Sequence, residues 1–156
     1  MSADVFEFVP PDTDAVLEAM RALTSAQSGW ITLQPGVHPE DAPPPRSLFD
    51  AMFSGGGPPV PVCTWVAPDA KQKPPHPELG VQHKAGPKAV ARLAGEGLDV
   101  PAHWAVLADH PRRGLVVAVH PDTPPAESLD WLLRAAAILT RVPLTGSWQA
   151  AVHGRT

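Results

Sequence analysis

The sequence predicts an α+β domain, with a mostly antiparallel sheet and helices packed on one face. Three observations lead there. From residue 79 onward the segments run strand, helix, strand, strand, helix, strand, the split βαβ or ferredoxin-like order. Apolar stripes at helical spacing recur near 12–26 and 124–141. A turn-rich stretch, Asp109-His110-Pro111-Arg112-Arg113-Gly114, joins two of the strands as a hairpin. The whole chain, 1–156, reads as one such domain, with a proline-rich irregular segment at 35–77 inside it.

The elements follow in order. Residues 12–26 read as a helix. Asp12 or Thr13 can cap it, Asp14 and Glu18 suit its positive N-terminal end, and Val16, Leu17, Met20 and Leu23 share one stripe. Gly29 ends it. Trp30 to Gln34 is a short strand that Pro35 closes. Residues 35–77 hold 12 of the 21 prolines. A short helix is expected at 47–53, with Ser47 and Asp50 as a capping pair and an apolar side of Leu48, Phe49, Met52 and Phe53. Gly55 to Gly57 breaks it. Val60 to Val66 is apolar on both faces and is expected to be a central strand covered on both sides, pairing only after Pro61. Residues 68–77, with Pro68, Pro74, Pro75 and Pro77, form a stiff exposed loop.

The second half is more regular. Leu79 to Lys84 is a strand. Pro87 suits the first turn of a helix at 87–95 that buries Val90, Leu93 and Ala94. Gly97-Leu98 is a left-handed helix stop, with Leu98 folding back. Trp104 to Ala108 and Leu115 to Val119 are the arms of the hairpin. Thr123-Pro124 opens the strongest helix, 124–141, with Leu129, Leu132, Leu133, Ala136 and Leu139 as its main stripe. Trp131, Ala135 and Ile138 widen that stripe. Pro143 stops the helix, and Ser147 to Val152 is the last strand. The same order, taken as helix, three strands, helix, two strands, helix, resembles secretion-chaperone-like α+β domains. That resemblance lies in element order, without a sequence motif, and it implies peptide binding and dimerisation.

Composition limits the function classes. Leu, Ile, Val and Phe number 36 of 156, enough for a core. Net charge is −4 and pI about 5.9, which disfavours a nucleic-acid-binding surface. The single cysteine, Cys63, excludes an internal disulfide and fits a reducing, cytoplasmic setting. The N-terminus lacks the basic and apolar regions of a signal peptide, and no run approaches the ~20 apolar residues of a membrane span.

Chemistry is sparse. There is no phosphate-binding GxxxxGK, no HExxH, no CxxC and no GxSxG. Gly95-Glu96-Gly97 follows a helix and is no dinucleotide fingerprint. No catalytic residue, metal site or cofactor is assigned. Four of the seven histidines (His38, His76, His110 and His120) precede proline and so sit at turns, where surface roles compete with metal binding. Cys63, between Val62 and Thr64, reads as inert core rather than a nucleophile. The five tryptophans read mostly as core or sheet-face residues, against a tryptophan-lined pocket.

Charge is segregated. Residues 1–50 carry eight acids against two arginines, while residues 51–95 carry five bases against two acids, including all four lysines. In the expected topology His83, Lys84, Lys88, His110, Arg112 and Arg113 converge at one sheet end. The N-terminus of helix 87–95 adds free amides, and Asp109 holds an arginine. The function this supports is a non-catalytic binding or adaptor protein. It would recognise a protein partner, or an acidic or phosphorylated ligand, through proline-rich loops and this basic cluster. It would pair as a homodimer and bind neither nucleic acid nor membrane. The alternative is a small-molecule enzyme or sensor using the His- and Arg-bearing turns.

Overall fold

A computed structural model describes residues 3–42 and 58–154. The expected helix at 47–53 and the glycines at 55–57 lie outside them. The elements run β1 (Asp4–Phe8), α1 (Asp14–Ala26), β2 (Trp30–Val37), a 3-10 turn (Pro39–Asp41), β3 (Val62–Val66) and β4 (Glu78–Gln82). They continue as α2 (Ala89–Gly95), β5 (Ala105–His110), β6 (Gly114–Ala118), α3 (Pro125–Leu139) and β7 (Leu144–His153). The architecture is α+β. All seven strands form one antiparallel sheet in the order β1-β7-β2-β3-β4-β6-β5.

Strand alternation sets the two faces of the sheet. Ile31 pairs with Trp65, Trp65 with Leu79 and Leu79 with Val117, a row of buried side chains across four strands. Ala150, Leu33, Cys63, Val81 and Leu115 make the next row on the same face. Each fully buried Leu, Ile or Val contributes about 1.5–3 kcal/mol by leaving water. α3 lies over β3 and β4, and α1 and α2 pack against α3. Leu132 and Leu139 are fully buried. Cys63 Sγ donates to the carbonyl oxygen of Leu132 at 3.7 Å, which ties sheet to helix.

The opposite face carries Trp30, Val66, Thr32, Thr64, Gly80 and Val116, exposed or half-buried. Among the described residues no helix packs on that face.

Several expectations are corrected. The ferredoxin-like order is met only by β4, β6 and β5, where β6 lies antiparallel between the other two, and β7 does not join β4. β7 pairs with β1 and β2, and the β2–β3 pair stands between β7 and β4. The first half of the chain thus inserts strands into the sheet instead of appending them to it. Only one face of β3 is fully buried: Cys63 and Trp65 are buried, Val62 and Thr64 half-buried and Val66 exposed. Its apolar content is no proof of two-sided burial, because β-branched residues suit any pleated surface.

β2 does not stop at Pro35. Its pairing with β3 covers Trp30 to Leu33 only, so beyond Leu33 the strand is laddered, among the described residues, to β7 alone. On such a one-sided stretch a missing N–H is tolerated. A bulge follows between Pro35 and Val37. There a Cβ on Gly36 would meet Ser147 Oγ at 2.6 Å.

Pro87 is outside α2, which starts at Ala89 after Lys88 in a left-handed conformation (φ 65°). α1 ends at Ala26 through left-handed Gln27, before Gly29. Asp109 and His110 belong to β5, so the hairpin turn is only Pro111 to Arg113. Trp104 precedes β5 rather than opening it. β1 is an additional edge strand that the sequence reading lacks. No helix among the described residues is long and apolar enough to cross a membrane.

Candidate functional site

A cleft of about 1000 Å³ opens at the sheet end where α1 hands over to β2 and β3 to β4. Its floor is one row of the face on which no described helix packs. Register places His153, Trp30, Val66 and Glu78 on four adjacent strands, β7, β2, β3 and β4. The His153 ring stacks on the Trp30 indole, with centroids 4.8 Å apart and planes 10° apart. Trp30 is still 47% exposed and Val66 41%. With strands about 4.8 Å apart, Trp30 and Glu78 stand as walls roughly 10 Å apart with Val66 between them.

Two connections close the end of this trough. α1 stops in a left-handed turn at Gln27, where Ser28 N donates to Leu23 O at 3.3 Å. Gly29 follows with φ +102°. A Cβ there would meet His153 O at 2.5 Å and Leu23 Cδ2 at 2.8 Å, so only glycine lets the chain enter β2 so close to β7. Ala67 N donates to Gly29 O at 3.0 Å and continues the ladder past β3.

The second connection is the proline-rich loop 68–77. It is ordered from within. Gln72 Oε1 accepts from the amides of Asp69 (3.1 Å) and His76 (2.8 Å), while Asp69 Oδ1 accepts from Lys71 N at 2.8 Å. Gln72 Nε2 donates to Glu78 Oε2 at 3.5 Å, and His76 Nε2 lies 3.8 Å from the same oxygen. The loop thus fixes the Glu78 carboxylate at the cleft, and Asp69, Lys71 and Gln72 line it.

The residues expected to form a basic pole are placed as follows. Lys84, Lys88, His110, Arg112 and Arg113 are exposed. They sit at the sheet end formed by the end of β4, the start of α2 and the β5–β6 turn. His83 is not a surface group. It is 1% exposed, its Nδ1 accepts from Ala85 N at 3.1 Å, and its Nε2 has no partner. Burial pushes its pKa down, Asp109 pulls it up and Arg92 pushes it down further.

Asp109 does not hold an arginine among the described residues. Its two oxygens accept from Ala89 N at 2.9 Å and Val90 N at 3.0 Å, capping α2 from a neighbouring strand. The expected free amides of this helix are therefore taken by a carboxylate of the chain itself.

Four tryptophans (Trp65, Trp104, Trp131 and Trp148) are buried. Trp104 Nε1 donates to Thr123 Oγ1 at 3.3 Å and Trp131 Nε1 to Asp99 O at 3.1 Å. Trp30 is the exception that sequence reasoning missed, although the alternation signal was present. Placing Ile31 and Leu33 inward turns Trp30, Thr32 and Gln34 outward. Burial pushes the Cys63 thiol up to about 12, so no thiolate is offered. His103 and His120 have centroids 5.5 Å apart, but among the described residues no three His, Cys, Asp or Glu side chains converge. In comparisons with family models, curated proteins and solved structures the chain matches nothing, so fold and site geometry alone bear on its function.

Proposed function

We propose that the protein is a non-catalytic binding module that recognises a partner protein through the Trp30 cleft and its proline-rich wall. The observation that carries this is the exposed indole of Trp30. A tryptophan held by a stacked histidine on a sheet, above an open cleft, is a large, rigid apolar contact already in place. The loop 68–77 is internally hydrogen-bonded and rich in proline, so it loses little entropy when a partner docks.

A second reading keeps the basic sheet end as a contact for an acidic or phosphorylated ligand. It is favoured by four exposed cations, Lys84, Lys88, Arg112 and Arg113, at one end. The small-molecule enzyme or sensor has less support there, because His83 is buried and the α2 amides are occupied.

The test is selection from a random displayed-peptide library on the wild-type protein, followed by counter-screening on Trp30→Ala. Enrichment of peptides that bind wild type and not Trp30→Ala is the expected result. Peptides that bind both equally, or no enrichment at all, would overturn the reading.

A further inference from the structure

We infer that the Trp30 cleft is a receptor for a guanidinium group, an arginine side chain presented on a peptide. This rests on the binding-module reading above and names the chemistry of its ligand.

The cleft pairs an aromatic wall with an acidic one. On the row His153, Trp30, Val66, Glu78 the two outer chemistries face each other across the smaller, exposed Val66. His153 covers one side of the indole, while Val66 stands on the other side and is too short to cover it. A flat cation placed over Val66 meets the indole on one side and the Glu78 carboxylate on the other. Strand spacing makes the gap roughly 10 Å, enough for a guanidinium in contact with the indole and hydrogen-bonded, directly or through one water, to the carboxylate. Guanidinium suits this better than ammonium, because it is planar, stacks on indole and bonds a carboxylate with two parallel N–H donors.

Three further features favour a cation. Glu78 is held by Gln72 and faced by His76 through Oε2, so its carboxylate is already oriented before a ligand arrives. Asp69 lines the same cleft and adds a second carboxylate. The C-terminal end of α1 opens there too, through Ala26 and Gln27, and the last turn of that helix contains no basic residue to offset its negative pole. Against these stands Lys71, the one lysine or arginine among the described lining residues. Lys71 adds a like charge to the cleft, and its removal is expected to strengthen binding.

The experiment is a titration of the 15N-labelled full chain, followed at the indole N–H of Trp30, which is assigned by its absence in Trp30→Ala. The probes are two capped peptides, Ala-Ala-Arg-Ala-Ala and the same peptide with neutral, isosteric citrulline for arginine. The arginine peptide is expected to shift the Trp30 signal saturably, and the citrulline peptide to bind at least about tenfold more weakly. Glu78→Gln is expected to weaken the arginine peptide several-fold and Lys71→Ala to tighten it, a gain that mere structural damage does not produce. Equal binding of the two peptides, no saturable shift, or no response to Glu78→Gln would each overturn the inference. If Trp30-dependent library peptides lack arginine, the guanidinium assignment falls and the binding module stands. If no peptide depends on Trp30, both fall.

Discussion

The imidazole of His153 lies flat on the indole of Trp30, centroids 4.8 Å apart, and joins the last residue of β7 to the first of β2. The stack holds an exposed tryptophan at the edge of the cleft. Replacing His153 by alanine removes the support on one face without touching the core. The expected outcome is a stability change below about 1.5 kcal/mol, the range for one aromatic pair. Weaker binding of Trp30-dependent peptides is expected with it. Denaturant unfolding and peptide affinity, measured on the same variant, separate the two effects.

Leu132 is fully buried on α3, over the sheet, whereas Leu133 is half-buried. Leu132→Ala is expected to cost roughly 2–5 kcal/mol and Leu133→Ala clearly less. Urea unfolding of both variants checks this. A loss below 1 kcal/mol for Leu132→Ala would make α3 peripheral.

Asp109 caps α2 from β5 through two hydrogen bonds. Asp109→Ala is expected to lose about 0.5–2 kcal/mol, as for other caps. Its loss should also speed amide exchange at Ala89 and Val90. Unchanged exchange there would show that the bonds contribute nothing.

His83 is buried with a lowered pKa, chiefly through burial. The unfolded chain then binds a proton that the folded chain refuses. Stability should be full above the ordinary histidine pKa of about 6.5 and should fall as pH drops below it. His83→Asn, which keeps an acceptor for Ala85 N, is expected to flatten that fall. Thermal unfolding of both proteins between pH 7.5 and about 5 reads the difference.

Gln72 bonds the amides of Asp69 and His76 and so holds the loop from inside. Lys71 is exposed, and the first tryptic cut is expected after it; the bond after Lys73 leads into Pro74 and resists trypsin. Gln72→Ala should accelerate that cut several-fold while leaving cleavage elsewhere unchanged. Resistance at Lys71 would mean that a partner or second subunit covers the loop.

Helices α1 and α3 were legible in the sequence because their stripes are local. Val16, Met20 and Leu23, or Leu129, Leu132 and Leu139, recur at spacings that any reader can count. Strand order was not legible. β1 pairs Asp4 with Val152 and Phe8 with Trp148, residues at opposite ends of the chain, and nothing in Asp4 to Phe8 names that partner. The inserted β2–β3 pair displaced β7 from β4 for the same reason.

At the expected basic pole, residue types placed the charges, but only geometry showed the Asp109 carboxylate on the α2 amides. At the cleft, Trp30 was visible as a residue and hidden as a site. Its exposure follows from the alternation with Ile31 and Leu33, while its neighbours Val66, Glu78 and His153 come from three other strands.

The central claim is that recognition runs through Trp30 and not through the basic sheet end. Calorimetric titration of one enriched library peptide against three proteins tests it: wild type, Trp30→Ala and the Arg112→Ala, Arg113→Ala double variant, each verified as folded by circular dichroism. The account predicts at least about a tenfold loss, ~1.4 kcal/mol, for Trp30→Ala and little change for the double variant. Full affinity in Trp30→Ala with loss in the double variant would contradict it.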